Sequence, residues 1–151
     1  MTSKPTPQIV QGTAVALNGR AILLIGSPGV GKSELAMALI EQGAQFVADD
    51  LVHLCALGDK IMANMVQGRQ HQMSLREIGL VDMEQAVSPV PLALVIELAP
   101  VTSLEQWTHF GPRLLDTYGP IDGLYCPQLT LDPRSQIILS KVRLALERWG
   151  H

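Results

Sequence analysis

Aromatic residues are scarce in this chain. Two Trp, two Tyr and two Phe amount to 4% of its 151 residues, so any core has to rest on Leu, Ile, Val, Ala and Met. Charge is sparse too, with Asp, Glu, Lys and Arg making 17% and a net charge of −3. No cluster of lysine and arginine stands out, which argues against a nucleic-acid surface. The two cysteines, Cys55 and Cys126, have no metal-binding spacing and read as reduced, structural thiols of a cytosolic protein. No apolar run is long enough to cross a bilayer. The stretch Met1–Pro7 lacks the apolar centre of a signal peptide, so the expected location is the cytoplasm. Internal repeats and low-complexity segments are absent. What remains is an ordinary globular composition, 47% hydrophobic, at a length that suits one domain. Residues 1–7 read as a flexible tail and residues 8–151 as a single domain.

Against this background one run is dense in information. Gly26–Glu34 reads G-S-P-G-V-G-K-S-E and fills the phosphate-binding pattern G-x-x-x-x-G-K-[ST] with Gly26, Gly31, Lys32 and Ser33. The flanks agree with it. Ala21–Ile25 is an apolar run that reads as a buried strand, and Glu34–Gln42 is a helix former that stops at Gly43. Glycine lets the backbone wrap a phosphate closely, and the helix N-terminus adds its positive end. The expected contacts to the phosphates of a nucleotide are Gly26, Ser27, Pro28, Gly29, Val30, Gly31, Lys32, Ser33 and Glu34. Lys32 would reach the outer phosphates, and the Ser33 hydroxyl would ligate Mg2+.

Along the rest of the chain, Ile9–Leu17 reads as a strand, and Asn18-Gly19 as the turn of a hairpin that feeds the phosphate loop. Ala44–Asp50 is a short strand ending in two acidic residues. Val52–Leu57 and Lys60–Val66 suggest a hairpin around Gly58-Asp59, whereas Gln67–Met73 and Leu75–Met83 are ambiguous. Pro91–Leu98 is a buried strand. Pro100–Pro127, rich in Gly and Pro, reads as loop with short elements, and Leu129–Leu131 as a last short strand. A final helix is expected after Asp132 as its cap and Pro133 in its first turn, with Ile138, Val142, Ala145 and Trp149 on one face. The early hairpin makes the expected sheet mixed, in an α/β fold.

The pair Asp49-Asp50 narrows the chemistry. A strand end beside the phosphate loop sets its side chains next to the phosphates. One carboxylate can hold magnesium and the other can take a proton from an attacking hydroxyl. A helix cap or a solvated turn is the plainer alternative for the pair.

The phosphate loop, its helix and Gly43-Ala44-x-Phe46-Val47-Ala48-Asp49-Asp50 together resemble the bacterial HPr kinase/phosphorylase family, in the short form that consists of the catalytic domain. The similarity is specific over residues 9–54 and weaker at Ser74–Met83 and Pro91–Leu98. It implies a P-loop nucleotide-binding domain of the HPr kinase/phosphoenolpyruvate carboxykinase type. It further implies an ATP- and magnesium-dependent protein serine kinase, and phosphorylase, acting on the phosphocarrier HPr of a phosphotransferase system that regulates carbohydrate metabolism. Asp49 would be the catalytic acid/base, Asp50 with Ser33 the metal ligands, and Arg76 the cation that steadies the transferring phosphoryl group beside Lys32. The longer members are hexamers, which implies a homo-oligomer here.

Three departures from the family pattern stand out. Gln11 replaces a histidine ahead of Gly12. Ser74 and Glu77 replace the glutamate and glycine of a Glu-x-Arg-Gly motif around Arg76. Pro28 replaces a loop serine and removes one N–H donor. These favour, as the alternative, a nucleotide-binding regulatory module with lost or reduced transfer. A small-molecule kinase ranks third, because its usual arginine-rich lid is reduced here to Arg113 within residues 100–127. His53, three residues past the acidic pair, reads as structural. His71 and His109 read as solvent-facing, Lys141 and Arg143 as a solvated helix face, and Arg134 as either a phosphate contact or a surface residue.

Overall fold

The computed structural model describes residues 8–100 and 116–151. The flexible tail expected at residues 1–7, together with His109 and Arg113, lies outside them. In chain order the described elements are β1 (Gln8–Gln11), β2 (Thr13–Leu17), β3 (Arg20–Gly26), α1 (Lys32–Glu41), β4 (Gln45–Ala48), β5 (Leu51–Leu57), β6 (Lys60–Met65), β7 (Gln72–Leu75), β8 (Gly79–Asp82), β9 (Val90–Leu98), β10 (Asp116–Ile121), β11 (Leu124–Leu131) and α2 (Ile138–Trp149). None of these helices is long and apolar enough to cross a membrane.

Among the described residues nine strands form one mixed sheet, and β7 with β8 forms a separate hairpin. The sheet curls because two long stretches of chain pair twice. β1 runs antiparallel to β5, with Gln8 opposite Leu54 and Gln11 opposite Leu51. β2 runs antiparallel to β4, with Ala14 opposite Ala48. Between these ladders the Gly12 N–H donates to the Asp50 carbonyl at 3.0 Å. Residues 8–17 and 45–57 therefore make one bent two-stranded ribbon. The circuit closes through β2–β3, β3–β9, β9–β6 and β6–β5. Among the described strands only β3, β9 and β11 pair in parallel, so the mixed sheet expected from the hairpin is present.

The two faces of the sheet carry different cores. Period-two alternation sends Val15, Leu17, Ile22 and Leu24 to the helix side. There they meet Leu35, Ala36 and Leu39 of α1 and Val142, Ala145 and Leu146 of α2. The intervening residues, Ala14, Ala16, Ala21 and Leu23, face the inside of the curl with Val47, Val52, Leu54, Val95 and Cys126. Small alanines line this inner face, which lets the two halves of the sheet approach each other closely. Few aromatics are needed for either core.

Several expectations hold locally. Asn18 and Gly19 have φ of 51° and 76°, the doubly positive turn that matches strand twist. The Gly58-Asp59 hairpin forms as β5–β6. Ile138, Val142, Ala145 and Trp149 all pack on the helix-side core.

Three readings are corrected. The strand expected over Ile9–Leu17 is broken at Gly12, where a Cβ would come within 2.8 Å of the Leu24 carbonyl oxygen; the ribbon bends there. The expected loop over 100–127 is largely strand where it is described. Asp116–Ile121 and Leu124–Leu131 form a hairpin, and its glycines mark a bulge and a turn, with φ of 133° at Gly119 and 82° at Gly123. Asp132 does not cap the last helix, which begins at Ile138 with Ile137 as its N-cap residue. Instead Asp132 accepts from the backbone N–H of Arg134 at 2.8 Å and from its Nη2 at 2.8 Å. A turn that closes on itself two residues later leaves no carboxylate for the helix.

Candidate phosphate-transfer site

β3 delivers the chain into the phosphate loop at Gly26, and only glycine fits there. Its φ is 146°, and a Cβ would lie 2.7 Å from the Leu98 carbonyl oxygen of β9. The loop then tightens, with the Val30 N–H donating to Ser27 at 3.1 Å. Gly31, at φ 110°, opens α1 with no side-chain cap on the helix. The first amide groups of α1 thus face the loop unclaimed by a capping side chain, as an anion-binding helix end requires. Lys32 folds over the loop and donates from Nζ to the carbonyls of Gly26 at 2.8 Å and Ser27 at 3.2 Å.

β4 reaches β3 only across β2, yet its end lands beside α1. Asp49 follows β4 and is half-buried. Its Oδ1 accepts from the Ser33 hydroxyl at 2.8 Å and from the Thr13 hydroxyl at 2.7 Å. Its Oδ2 accepts from the backbone N–H of Ser74 at 3.1 Å. Three separate elements, β2, α1 and β7, therefore hold one carboxylate. Asp50 turns the other way. It has φ of 69°, its side chain is 71% exposed, and it pairs with Arg69 at 3.6 Å.

Lys32, Ser33, Asp49, Asp50, Arg69 and Thr13 line one open cleft of ≈ 600 Å³, with Leu80 at its edge. The sequence-expected Lys32, Ser33, Asp49 and Asp50 are thus brought together. Arg76 stands beside them, against the loop. Its guanidinium donates to the Gly29 carbonyl, and its backbone N–H donates to Glu34 at 3.2 Å. Its Nε lies 3.4 Å from the same carboxylate. Burial alone would raise the Glu34 pKa, but the bonds and charge of Arg76 outweigh it and hold the carboxyl below its usual value. His53 lies on β5 opposite Ile9 and Asn64, outside the cleft lining.

The departures from the expected pattern have local consequences. Ser74 uses its backbone N–H toward Asp49, a contact that any non-proline residue can make. Glu77 adopts φ of 68°, the left-handed region that glycine occupies without cost. Arg143 is exposed but not idle: it donates from Nη2 to the Gln42 carbonyl at 2.9 Å, at the C-terminus of α1, where a cation is favoured.

Sequence reasoning missed Thr13 and Arg69. Thr13 leaves a faint signal as the one polar residue of an otherwise apolar strand. Arg69 lies in a polar segment with no periodicity and leaves none.

The donors around the cleft also bear on metal binding. Among the described residues no cluster of three or more His, Cys, Asp or Glu could cage a metal. Ser33, Asp49 and Asp50 instead offer hard oxygen donors next to the loop. That set suits magnesium, which keeps much of its shell as water and substrate phosphate.

Comparison with known proteins identifies the family and the fold. Residues 5–114 match the family model of the HPr serine kinase C-terminal domain. The chain is 35% identical over 142 residues to an HPr kinase/phosphorylase of Caldanaerobacter subterraneus, covering 89% of this chain and 46% of that protein. It is 36% identical over 100 residues to the HPr kinase/phosphorylase of Treponema pallidum, covering 65% of this chain and 31% of that one. The chain thus spans about half or less of the length of these curated relatives. Among solved structures, the Hpr(Ser) kinase/phosphatase from Coxiella burnetii superposes with a TM-score of 0.73 at 21% identity, covering 93% of both chains. That likeness establishes the fold.

Proposed function

Since the chain belongs to the HPr serine kinase C-terminal domain family, we propose that it transfers the γ-phosphoryl group of ATP to a serine hydroxyl of HPr or an HPr-like carrier, in the cytoplasm. One observation carries this reading: the Asp49 carboxylate is hydrogen-bonded at 2.8 Å to Ser33 of the phosphate loop. A group able to take a proton, held against the loop by that bond, supports an acid/base role for Asp49.

In the forward direction the acceptor serine loses its proton to Asp49 as its oxygen bonds to phosphorus and the bond to ADP breaks. The loop amides and Lys32 would hold the phosphates, and Arg76, tethered to the loop through Gly29, would help balance their charge. A magnesium ion near Ser33 and Asp50 would supply further neutralisation of the phosphate oxygens. In the phosphorolytic direction an oxygen of inorganic phosphate bonds to the phosphoserine phosphorus as the bond to the serine oxygen breaks, protonated Asp49 gives its proton to that leaving oxygen, and the product is pyrophosphate. The same reading extends to self-association like that of the longer family members.

Transfer of labelled γ-phosphate to purified HPr tests the proposal, with Lys32→Ala and Asp49→Asn proteins alongside. Label on HPr that disappears in both variants is the expected result. Lys32-dependent ATP binding without any label on HPr would instead identify a regulatory nucleotide-binding module.

A further inference from the structure

We propose that Thr13 is a positioning residue for phosphoryl transfer, whose hydroxyl divides the two oxygens of Asp49 between different tasks. The inference rests on the acid/base role of Asp49 given above. Thr13 is 1% exposed and heads β2, which is otherwise apolar (Ala14, Val15, Ala16, Leu17). A buried hydroxyl costs free energy unless it is bonded. Its hydrogen bond is to Asp49 Oδ1, at 2.7 Å and thirty-six positions along the chain.

A carboxylate oxygen has two lone-pair sites. Oδ1 spends both, one on Thr13 and one on Ser33 at 2.8 Å. Oδ2 receives only the Ser74 N–H at 3.1 Å and keeps a lone pair. The proton of the acceptor hydroxyl therefore goes to Oδ2, while Oδ1 stays anchored to the phosphate loop and the sheet. The backbone at Thr13 is itself fixed by pairing with Leu24 of β3, two residues before the loop begins. The Thr13 hydroxyl thus ties the carboxylate to the same strand that delivers the phosphates. Losing it frees the carboxylate to rotate, and small misplacements of a reacting group are costly in rate.

The test compares Thr13→Val, which keeps the shape and deletes the donor, with Thr13→Ser, which keeps the donor. In steady-state transfer to HPr, Thr13→Val should lower kcat by about tenfold with KM for ATP unchanged, and Thr13→Ser should stay within about twofold of the parent. In an Asp49→Asn background, Thr13→Val should bring no further loss. Crystal structures give a readout independent of turnover, in which the Asp49 carboxylate is turned in Thr13→Val and unmoved in Thr13→Ser. An active parent with an equally active Thr13→Val protein, or an unmoved carboxylate in that variant, overturns the role of Thr13 alone. A parent that binds ATP but never labels HPr overturns the kinase reading and this inference with it.

Discussion

Replacing Asp49 by asparagine separates catalysis from folding more cleanly than any other substitution at this site. The side chain accepts from Thr13 at 2.7 Å and Ser33 at 2.8 Å through one oxygen, and from the Ser74 N–H at 3.1 Å through the other. An asparagine can turn its oxygen to Ser74 and its NH2 to the two hydroxyls, which rotate to accept. All three contacts survive as neutral hydrogen bonds. What is lost is the difference between charged and neutral bonds, on the order of 1 kcal/mol at a half-buried position. For a chain of this size that lowers Tm by about 2–4 °C. The kinetic loss is much larger. A missing general base costs about 10²–10⁴ in rate, or roughly 3–5 kcal/mol of barrier. ATP affinity should not weaken, because a negative charge has been removed from beside the phosphates. The assay is single-turnover transfer of label to HPr, with Tm and ATP affinity measured on the same samples. A folded Asp49→Asn protein with transfer within tenfold of the parent would refute the acid/base assignment.

Three further outcomes follow from local geometry. Glu77→Gly relieves a left-handed residue at φ 68° and should stabilise the protein by about 0.5–1 kcal/mol, after the entropy that glycine gains in the unfolded chain is subtracted; thermal melts read this as a rise in Tm. Glu34 has its pKa lowered: burial pushes it up, but the bonds and charge of Arg76 prevail. A depressed folded-state pKa makes its contribution fully present above the unfolded value of 4.5, and the contribution is lost as pH falls through the lowered folded value. The Tm gap between the parent and Glu34→Gln should therefore hold from neutral pH down to 4.5, shrink as pH falls from there toward the lowered folded value, and be gone below it. Burial pushes the Cys126 thiol up to about 12, so a thiol reagent at pH 8 should modify Cys55 in the native protein and reach Cys126 only after denaturation. Because the unfolded thiol ionises first, Cys126 should also make stability fall as pH rises from 9 toward 12.

What could be read from residues alone was what neighbours in sequence determine. The phosphate loop is a local pattern, and its strand and helix are adjacent to it, so Lys32 and Ser33 were identifiable without a fold. The turn at Asn18-Gly19 follows from two residues that both tolerate positive φ. Asp49 needed one further step, that its strand ends on the same side as the loop. Thr13 and Arg69 needed the three-dimensional circuit, because their partners lie far along the chain. Asp132 misled for a physical reason: an aspartate before a proline is a sound cap signal, but Arg134 two residues on competes for the same carboxylate. The glycines of 119–123 misled because bulges and tight hairpin turns use the same residues as open loops.

The bent ribbon has a mechanical consequence. Residues 8–17 and 45–57 close the circuit of strands, and the bend in that closure is the Gly12–Asp50 hydrogen bond, next to the acidic pair. A ring of strands shares load around its circumference, so slack at the bend is felt by β3 and β9 as well as by the ribbon. A ligand bound in the cleft that Lys32 and Asp50 both line would therefore brace the whole ring at its bend. Ligand binding there should raise the melting point of the entire sheet as one cooperative unit, and hydrogen exchange should slow in β6 and the far end of β5 as well as in the phosphate loop.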